Sequence, residues 1–162
     1  MSYDGRVRAV LGIGSNLGDR LALIREAVAQ MRAVASVLAV SPVYESDALG
    51  PPQGRYLNAA MLVDTPMAPL ALLAAMHEVE RHLGRERRER WGARTLDLDV
   101  LWIEGTSVDD AALTVPHPAL RERAFALRPL VDVAPLAVDP RDGQRLADVP
   151  RDDASLVVFG YA

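Results

Sequence analysis

The chain has 162 residues, half of them hydrophobic and a quarter charged, which suits one globular domain able to bury about two-thirds of its unfolded surface. A formal net charge of −4 argues against a general nucleic-acid binder; no apolar run is long enough for a bilayer and no charged-then-apolar leader opens the sequence, so a soluble cytoplasmic protein is expected. With neither cysteine nor lysine, this chain has no disulfide, thiolate nucleophile, Walker A loop, kinase strand lysine or pyridoxal Schiff base, and its 18 basic residues are all arginine.

RVRAVLGIG reads as a first strand running into a Gly-rich turn, GSNLGD. A helix follows, with Leu21, Ile24, Val28 and Met31 on one face. The β-branched and aromatic content of SVLAVSPVYES predicts a second strand, and DALGPPQGR a Pro/Gly-rich loop. YLNAAMLVDT is a third strand. The prolines of TPMAP open a second helix, with Leu70, Leu73, Met76, Val79, Glu80 and Leu83 near one face and Gly84 at its end. An arginine-rich loop, GRERRERWGAR, leads into a fourth strand, TLDLDVLWI. The order βαββαβ is the ferredoxin-like pattern, an α/β (α+β) fold with an antiparallel sheet and the two helices on one face. LTVPHPALRERAFALRPL predicts turns and one or two short helices, and SLVVFGYA a last edge strand. No repeat or low-complexity linker interrupts residues 1–162, so a single domain is expected.

Chemistry concentrates in TLDLDV. Strand alternation puts Asp97 and Asp99 on one face, roughly 6–7 Å apart. Their repulsion is about 2–3 kcal/mol at an effective dielectric of about 20. An isolated D-x-D is most often a solvated face. Here the other face is apolar and the strand continues into a hydrophobic run, which predicts a central strand, where such charges need a partner. Magnesium supplies one, bound by one or two carboxylates with phosphate oxygens and water completing its shell. Arg85, Arg87, Arg88, Arg90 and Arg94 lie just upstream; guanidinium forks beside a metal site suit a polyphosphate, and Trp91 within that loop is placed to close over a ligand.

The other signals are weaker. GIGSN matches the dinucleotide fingerprint poorly and reads as a tight turn where backbone approaches a ligand or strand. His77 and His82 are five apart, so they lack the spacing of a zinc helix. His117, between two prolines, is either a turn histidine or a phosphate contact.

In combination, GSN, SPVYES, LGP, YLNAA, RWGARTLDLDVL and LTVPHPALRERAFAL closely resemble the 6-hydroxymethyl-7,8-dihydropterin pyrophosphokinases of folate biosynthesis, across nearly the whole chain and in the same order. That resemblance implies a ferredoxin-like fold and transfer of pyrophosphate from ATP to the pterin hydroxymethyl oxygen, with release of AMP. It implies that Asp97 and Asp99 hold two Mg²⁺ ions on the ATP phosphates, with Arg85, Arg87 and Arg94 on the transferred group. His117 and Arg123 are then ATP-phosphate contacts, with Glu80 at the edge of the nucleotide pocket. Asn58 reads the pterin edge, Tyr56 and Phe125 sandwich the ring, Ser46 and Leu49 contribute loop backbone, and Trp91 seals the site. A monomer using two small-molecule substrates, with neither nucleic acid nor membrane as partner, is the expectation. The alternatives are a non-catalytic ferredoxin-like module that retains the site, and an arginine-loop RNA binder.

Overall fold

The computed structural model describes residues 5–16, 19–47, 55–83 and 96–162. Strand β1 (Val7–Ser15) leads to helix α1 (Arg20–Val34), whose first turn is capped by Asp19 accepting the Ala22 N–H at 3.1 Å. The expected second strand is two, β2 (Ser36–Val40) and β3 (Pro42–Ser46), both paired antiparallel with β4 (Tyr56–Thr65). The break falls at Ser41 because Pro42 has no N–H to give the ladder. The Ser41 hydroxyl bridges the gap: it accepts the N–H of fully buried Ala60 at 2.9 Å and donates to the Pro42 carbonyl at 2.8 Å.

Helix α2 (Pro69–His82) starts with proline in its first turn and buries Leu72, Met76, Val79 and Glu80. Leu70, expected on that face, is 48% exposed. Steps of three residues each fall about 60° short of a full turn, so a stripe read backwards from Met76 in threes drifts off the core face by Leu70. Strand β5 (Asp97–Ile103) follows, then a short hairpin of β6 (Val108–Asp109) and β7 (Thr114–Val115). The tail adds a 3₁₀ turn (Leu120–Glu122), helix α3 (Ala124–Val133), a second 3₁₀ turn (Leu146–Asp148) and strand β8 (Val157–Tyr161), which pairs with β3 as an edge strand.

The main sheet runs β5-β1-β4-β3-β8, antiparallel throughout, with β2 also on β4. Strand alternation divides β1 between two cores. Ala9, Leu11 and Ile13 pack with Ile24, Met31 and Met76 of α1 and α2 on one face, while Val10 packs with Leu127 and Leu130 of α3 on the other. The two helices of the βαββαβ unit thus share a face as expected, and the tail helix covers the reverse.

Strand β5 is not central. It borders β1 alone among the described strands, and its burial comes from helices and turns over both faces rather than from two strand neighbours. Its outer edge is capped by other elements: the Glu80 carboxylate accepts the Leu98 N–H at 3.2 Å, and His117 donates its N–H to the Leu101 carbonyl at 3.0 Å. The β1–β5 register shifts once, where Val10 faces Trp102 but Leu11 faces Val100. Leu101 is the extra residue, and this bulge turns both Leu101 and Trp102 into the α3 core.

The segment after α3 is fastened by Asp139, fully buried, whose carboxylate accepts Arg141 Nη2 at 2.7 Å and meets Arg121 Nη2 at 3.0 Å. Arg121 also grips Asp142 through two hydrogen bonds of 2.9 and 2.8 Å. The Arg141 hydrogen bond holds the Asp139 carboxyl below its ordinary value, against the opposing effect of burial. A carboxyl with a depressed folded pKa stabilises the fold fully above its unfolded value, near 3.9, and loses that contribution as pH falls through the folded value. Urea titrations across pH should therefore find Asp139→Asn destabilised by about 1–2 kcal/mol at pH 7, since the two arginines left behind keep access to water. Below about pH 4 the wild type should lose stability more steeply than the variant. Equal stability of the two proteins at pH 7 would count against the network.

Candidate active site

On the α3 face the apolar core stops short of the strand ends. Beyond it lies a cavity of about 260 Å³ whose lining includes Ser46, Tyr56, Asn58, Asp97, Asp99, Arg123 and Phe125 together with Gly12 and Gly14. The register explains how these residues meet. Gly14 pairs with Asp97 on one side and Asn58 on the other, and Gly12 pairs with Asp99 and Ala60. Cross-strand partners share a face, so Asp97 and Asp99 stand beside a floor without side chains, with Asn58 across it. The two glycines lie within β1, as the strand reading of RVRAVLGIG expects, and have no positive φ, so the tight turn expected of GIGSN does not begin at Gly12 and GIG serves as a floor. A Cβ at Gly14 would lie 3.1 Å from Asn58 Oδ1, and one at Gly12 would lie 3.1 Å from Leu101 Cδ1.

Asp97 is half-buried and Asp99 exposed, less enclosed than a central strand would make them. Two hard carboxylates on one strand face toward a cavity are the donor chemistry of a magnesium site that shares its cation with phosphate oxygens and water. Among the described residues no group of three His, Asp or Glu forms a metal cage, so a cation here would take part of its shell from outside that set. The chemistry of the donor set fits Mg²⁺ held jointly with a substrate.

Asn58 is oriented by donating from Nδ2 to Ser46 Oγ at 3.4 Å. Tyr56 pairs with Ser46 in the β3–β4 ladder, and Phe125 enters from the first turn of α3. The Arg123 guanidinium lies over the Phe125 ring, 5.8 Å from its centroid. His117 follows the cis Val115–Pro116 bond and feels both Asp99 and Arg123. Burial is the main influence that holds its imidazole below the ordinary value, with Arg123 adding to it and Asp99 opposing. The ring is thus neutral at pH 7, and since Nδ1 accepts the Ala119 N–H at 3.2 Å, Nε2 carries the proton as a donor.

Glu80 stands on α2 beside the strand that carries the two carboxylates. It is 2% exposed and caps the outer edge of β5 from α2, apart from the cavity lining. Arg85, Arg87, Arg94, Trp91 and Leu49 lie outside the described residues. Sequence reasoning missed Gly12 and Gly14 as the floor, although their spacing of two within a strand was the available signal. It also missed Asp47 and Ala126, which belong to the lining as well.

Comparison with known proteins points to one family. The profile of the 7,8-dihydro-6-hydroxymethylpterin-pyrophosphokinase (HPPK) family matches residues 10–135. The 2-amino-4-hydroxy-6-hydroxymethyldihydropteridine pyrophosphokinase of Methylorubrum extorquens is 43% identical over 133 residues, which is 79% of this chain and 83% of that protein. The enzyme of the same name from Pseudomonas aeruginosa is 41% identical over 145 residues, 88% of this chain and 89% of the relative. A solved structure, Plasmodium falciparum HPPK-DHPS A437G with SDX-DHP, superposes with a TM-score of 0.68 at 13% identity, covering 89% of this chain and 45% of the other. At that identity the likeness speaks to the fold, and the chain spans less than half of that longer protein. The chain belongs to the 7,8-dihydro-6-hydroxymethylpterin-pyrophosphokinase family and is a pyrophosphoryl-transferring enzyme.

Proposed function

We propose that this chain, acting as one domain over residues 1–162 and as a cytoplasmic monomer, transfers pyrophosphate from ATP to the hydroxymethyl oxygen of 6-hydroxymethyl-7,8-dihydropterin in the cavity above Gly12 and Gly14. One observation carries the reading: the carboxylate pair, Asn58, and both Tyr56 and Phe125 line the same cavity although they come from β5, β4 and α3. Among the described residues no helix is long and apolar enough to cross a membrane.

In this reading the flat pterin enters between Phe125 and Tyr56, where two aromatic faces supply stacking and area burial. The Asn58 amide, steadied by Ser46, reads the ring edge. Arg123 and the Nε2 proton of neutral His117 face the nucleotide phosphates. Arg85, Arg87 and Arg94 belong to the same proposal as contacts to the transferred group, with Leu49 and Trp91 on the pterin side. Asp97 and Asp99 would hold the Mg²⁺ ions of the family's reaction, which supply Lewis-acid neutralisation of phosphate charge and acidify a nearby alcohol.

The hydroxymethyl oxygen forms a bond to the β-phosphorus as the bond from that phosphorus to the α–β bridging oxygen breaks. AMP leaves with the bridging oxygen, and the alcohol loses its proton. Such a transfer depends on positioning and charge stabilisation more than on a covalent intermediate, so a site built of carboxylates, arginines and aromatic walls is sufficient. Glu80 contributes indirectly by capping the strand that carries the carboxylates.

With ATP and the pterin supplied, AMP release should require Mg²⁺ and should fall by about a hundredfold or more in Asp97→Asn and in Asp99→Asn, with unfolding midpoints near wild type. Metal-independent turnover, or full activity in either variant, would refute the metal role. Tight ATP binding with no AMP formed from the wild type would instead identify a non-catalytic module. A second expectation tests the floor: Gly14→Ala should raise the KM for the pterin by about tenfold, because the added methyl displaces the Asn58 amide. The KM for ATP should change little. An unaltered pterin KM would mean that Asn58 does not read the ring.

A further inference from the structure

Tyr44 is a buried tyrosine that the reaction does not use. It lies on β3, directly paired with Asn58 of β4, so the two side chains stand next to each other on the cavity face of the sheet. Its ring is 4% exposed. Its hydroxyl reaches α3, where it donates a hydrogen bond to the Asp132 carboxylate, and the Arg128 guanidinium lies over its ring, 5.2 Å from the centroid. Burial and Asp132 push the Tyr44 hydroxyl up to about 12, so it remains a donor at any assay pH.

The spacing along α3 gives this contact leverage. Phe125, Arg128 and Asp132 fall at i, i+3 and i+7, which is one stripe of a helix, with Asp132 about 10 Å along the axis from Phe125. Fixing Arg128 and Asp132 against Tyr44 therefore fixes the rotation of the helix and the direction in which Phe125 points. The helix needs an external restraint there. Pro129 lies inside α3 and has no N–H to offer the Phe125 carbonyl four residues earlier, so the backbone bearing Phe125 lacks one internal hydrogen bond.

We propose that Tyr44 is a positioning residue for the pterin: by joining β3 to Asp132 of α3 beside Asn58, it sets the gap between the Phe125 wall and the Asn58–Tyr56 wall of the slot. The proposal rests on the pterin slot described above. Tyr44 itself is absent from the cavity lining, so its influence passes through Phe125 and Asn58. A helix free to roll or lift by a fraction of an ångström would widen the stack and weaken ring binding, while the carboxylate pair on β5, beyond β1, would be untouched.

The test compares Tyr44→Phe, Asp132→Ala, Asp132→Asn and Phe125→Ala in steady-state assays against each substrate, with unfolding midpoints measured in parallel. Tyr44→Phe and Asp132→Ala should raise the pterin KM about fivefold to tenfold, the size of one ordinary hydrogen bond, because the effect reaches the ring only through Phe125 and Asn58. Their KM for ATP and their kcat should stay within about twofold. Asp132→Asn, which keeps an acceptor for the hydroxyl, should return the pterin KM close to wild type. If Tyr44→Phe does not fold, the contrast between Asp132→Ala and Asp132→Asn decides the question. An unchanged pterin KM in Tyr44→Phe, while Phe125→Ala raises it, overturns the positioning role and leaves the slot intact. Equal rises in both KM values with lowered midpoints would show general loosening and also overturn it. An unchanged pterin KM in Phe125→Ala overturns the slot itself, and the positioning role with it.

Discussion

Because β1 pairs over its whole length with β4 and, across the bulge at Leu101, with β5, two rows of residues cross the sheet side by side. One runs Tyr44–Asn58–Gly14–Asp97 and the other runs through Ala60, Gly12 and Asp99. This register is what the site depends on. A slip of one residue in either pairing would turn the carboxylates or Asn58 toward α1 and α2 and bury charge in the larger core. That core in turn specifies the register, since Ala9, Leu11, Ile13, Leu57, Met61, Leu98 and Val100 can face α1 and α2 only in the observed alignment. Packing on one face thereby dictates chemistry on the other.

The tail completes what the βαββαβ unit leaves open. Helix α3 covers the lower half of the reverse face through Val10, Ala60, Leu101 and Trp102, and stops at Phe125. The bulge at Leu101 matters here, since it places two consecutive large side chains under the helix and so ends the apolar core just below Asp99. The segment from His117 to Arg123 borders β5 and is braced from behind by Arg121 with Asp139 and Asp142. Residues proposed to meet the substrates are thus mounted on a rim held at both ends, by the β5 edge and by a buried carboxylate.

Much of this was legible in the sequence for identifiable reasons. Period-two alternation in TLDLDV placed Asp97 and Asp99 on one face, and the apolar spacing of α1 held because Ile24, Val28 and Met31 follow a true helical stripe. Tyr56, Asn58, Arg123 and Phe125 came from the family resemblance, and no spacing rule would have joined residues on β4 to residues on α3. The edge position of β5 was not legible. A hydrophobic run reports burial, and it does not say whether a strand, a helix or a turn does the burying. Likewise Glu80 was visible as a charged residue on an apolar helix face, but a backbone N–H that it caps leaves no mark in the sequence. The bulge at Leu101 and the hydroxyl bridge at Ser41 depend on neighbouring strands and were hidden for the same reason.

The glycine floor has a consequence for inhibition and resistance. Most binding sites present side chains, and a pathogen or a laboratory selection can exchange those one at a time to repel a drug while sparing the substrate. A compound resting on Gly12 and Gly14 would meet peptide groups, which every residue type except proline supplies alike. Escape there is confined to adding bulk, and bulk at either position intrudes on Asn58 or Leu101 at about the same 3.1 Å. On the proposed placement of the pterin, the substitution that excludes such a compound would also crowd the berth of the substrate, so the floor is the part of the cavity where evasion and fitness are most tightly opposed.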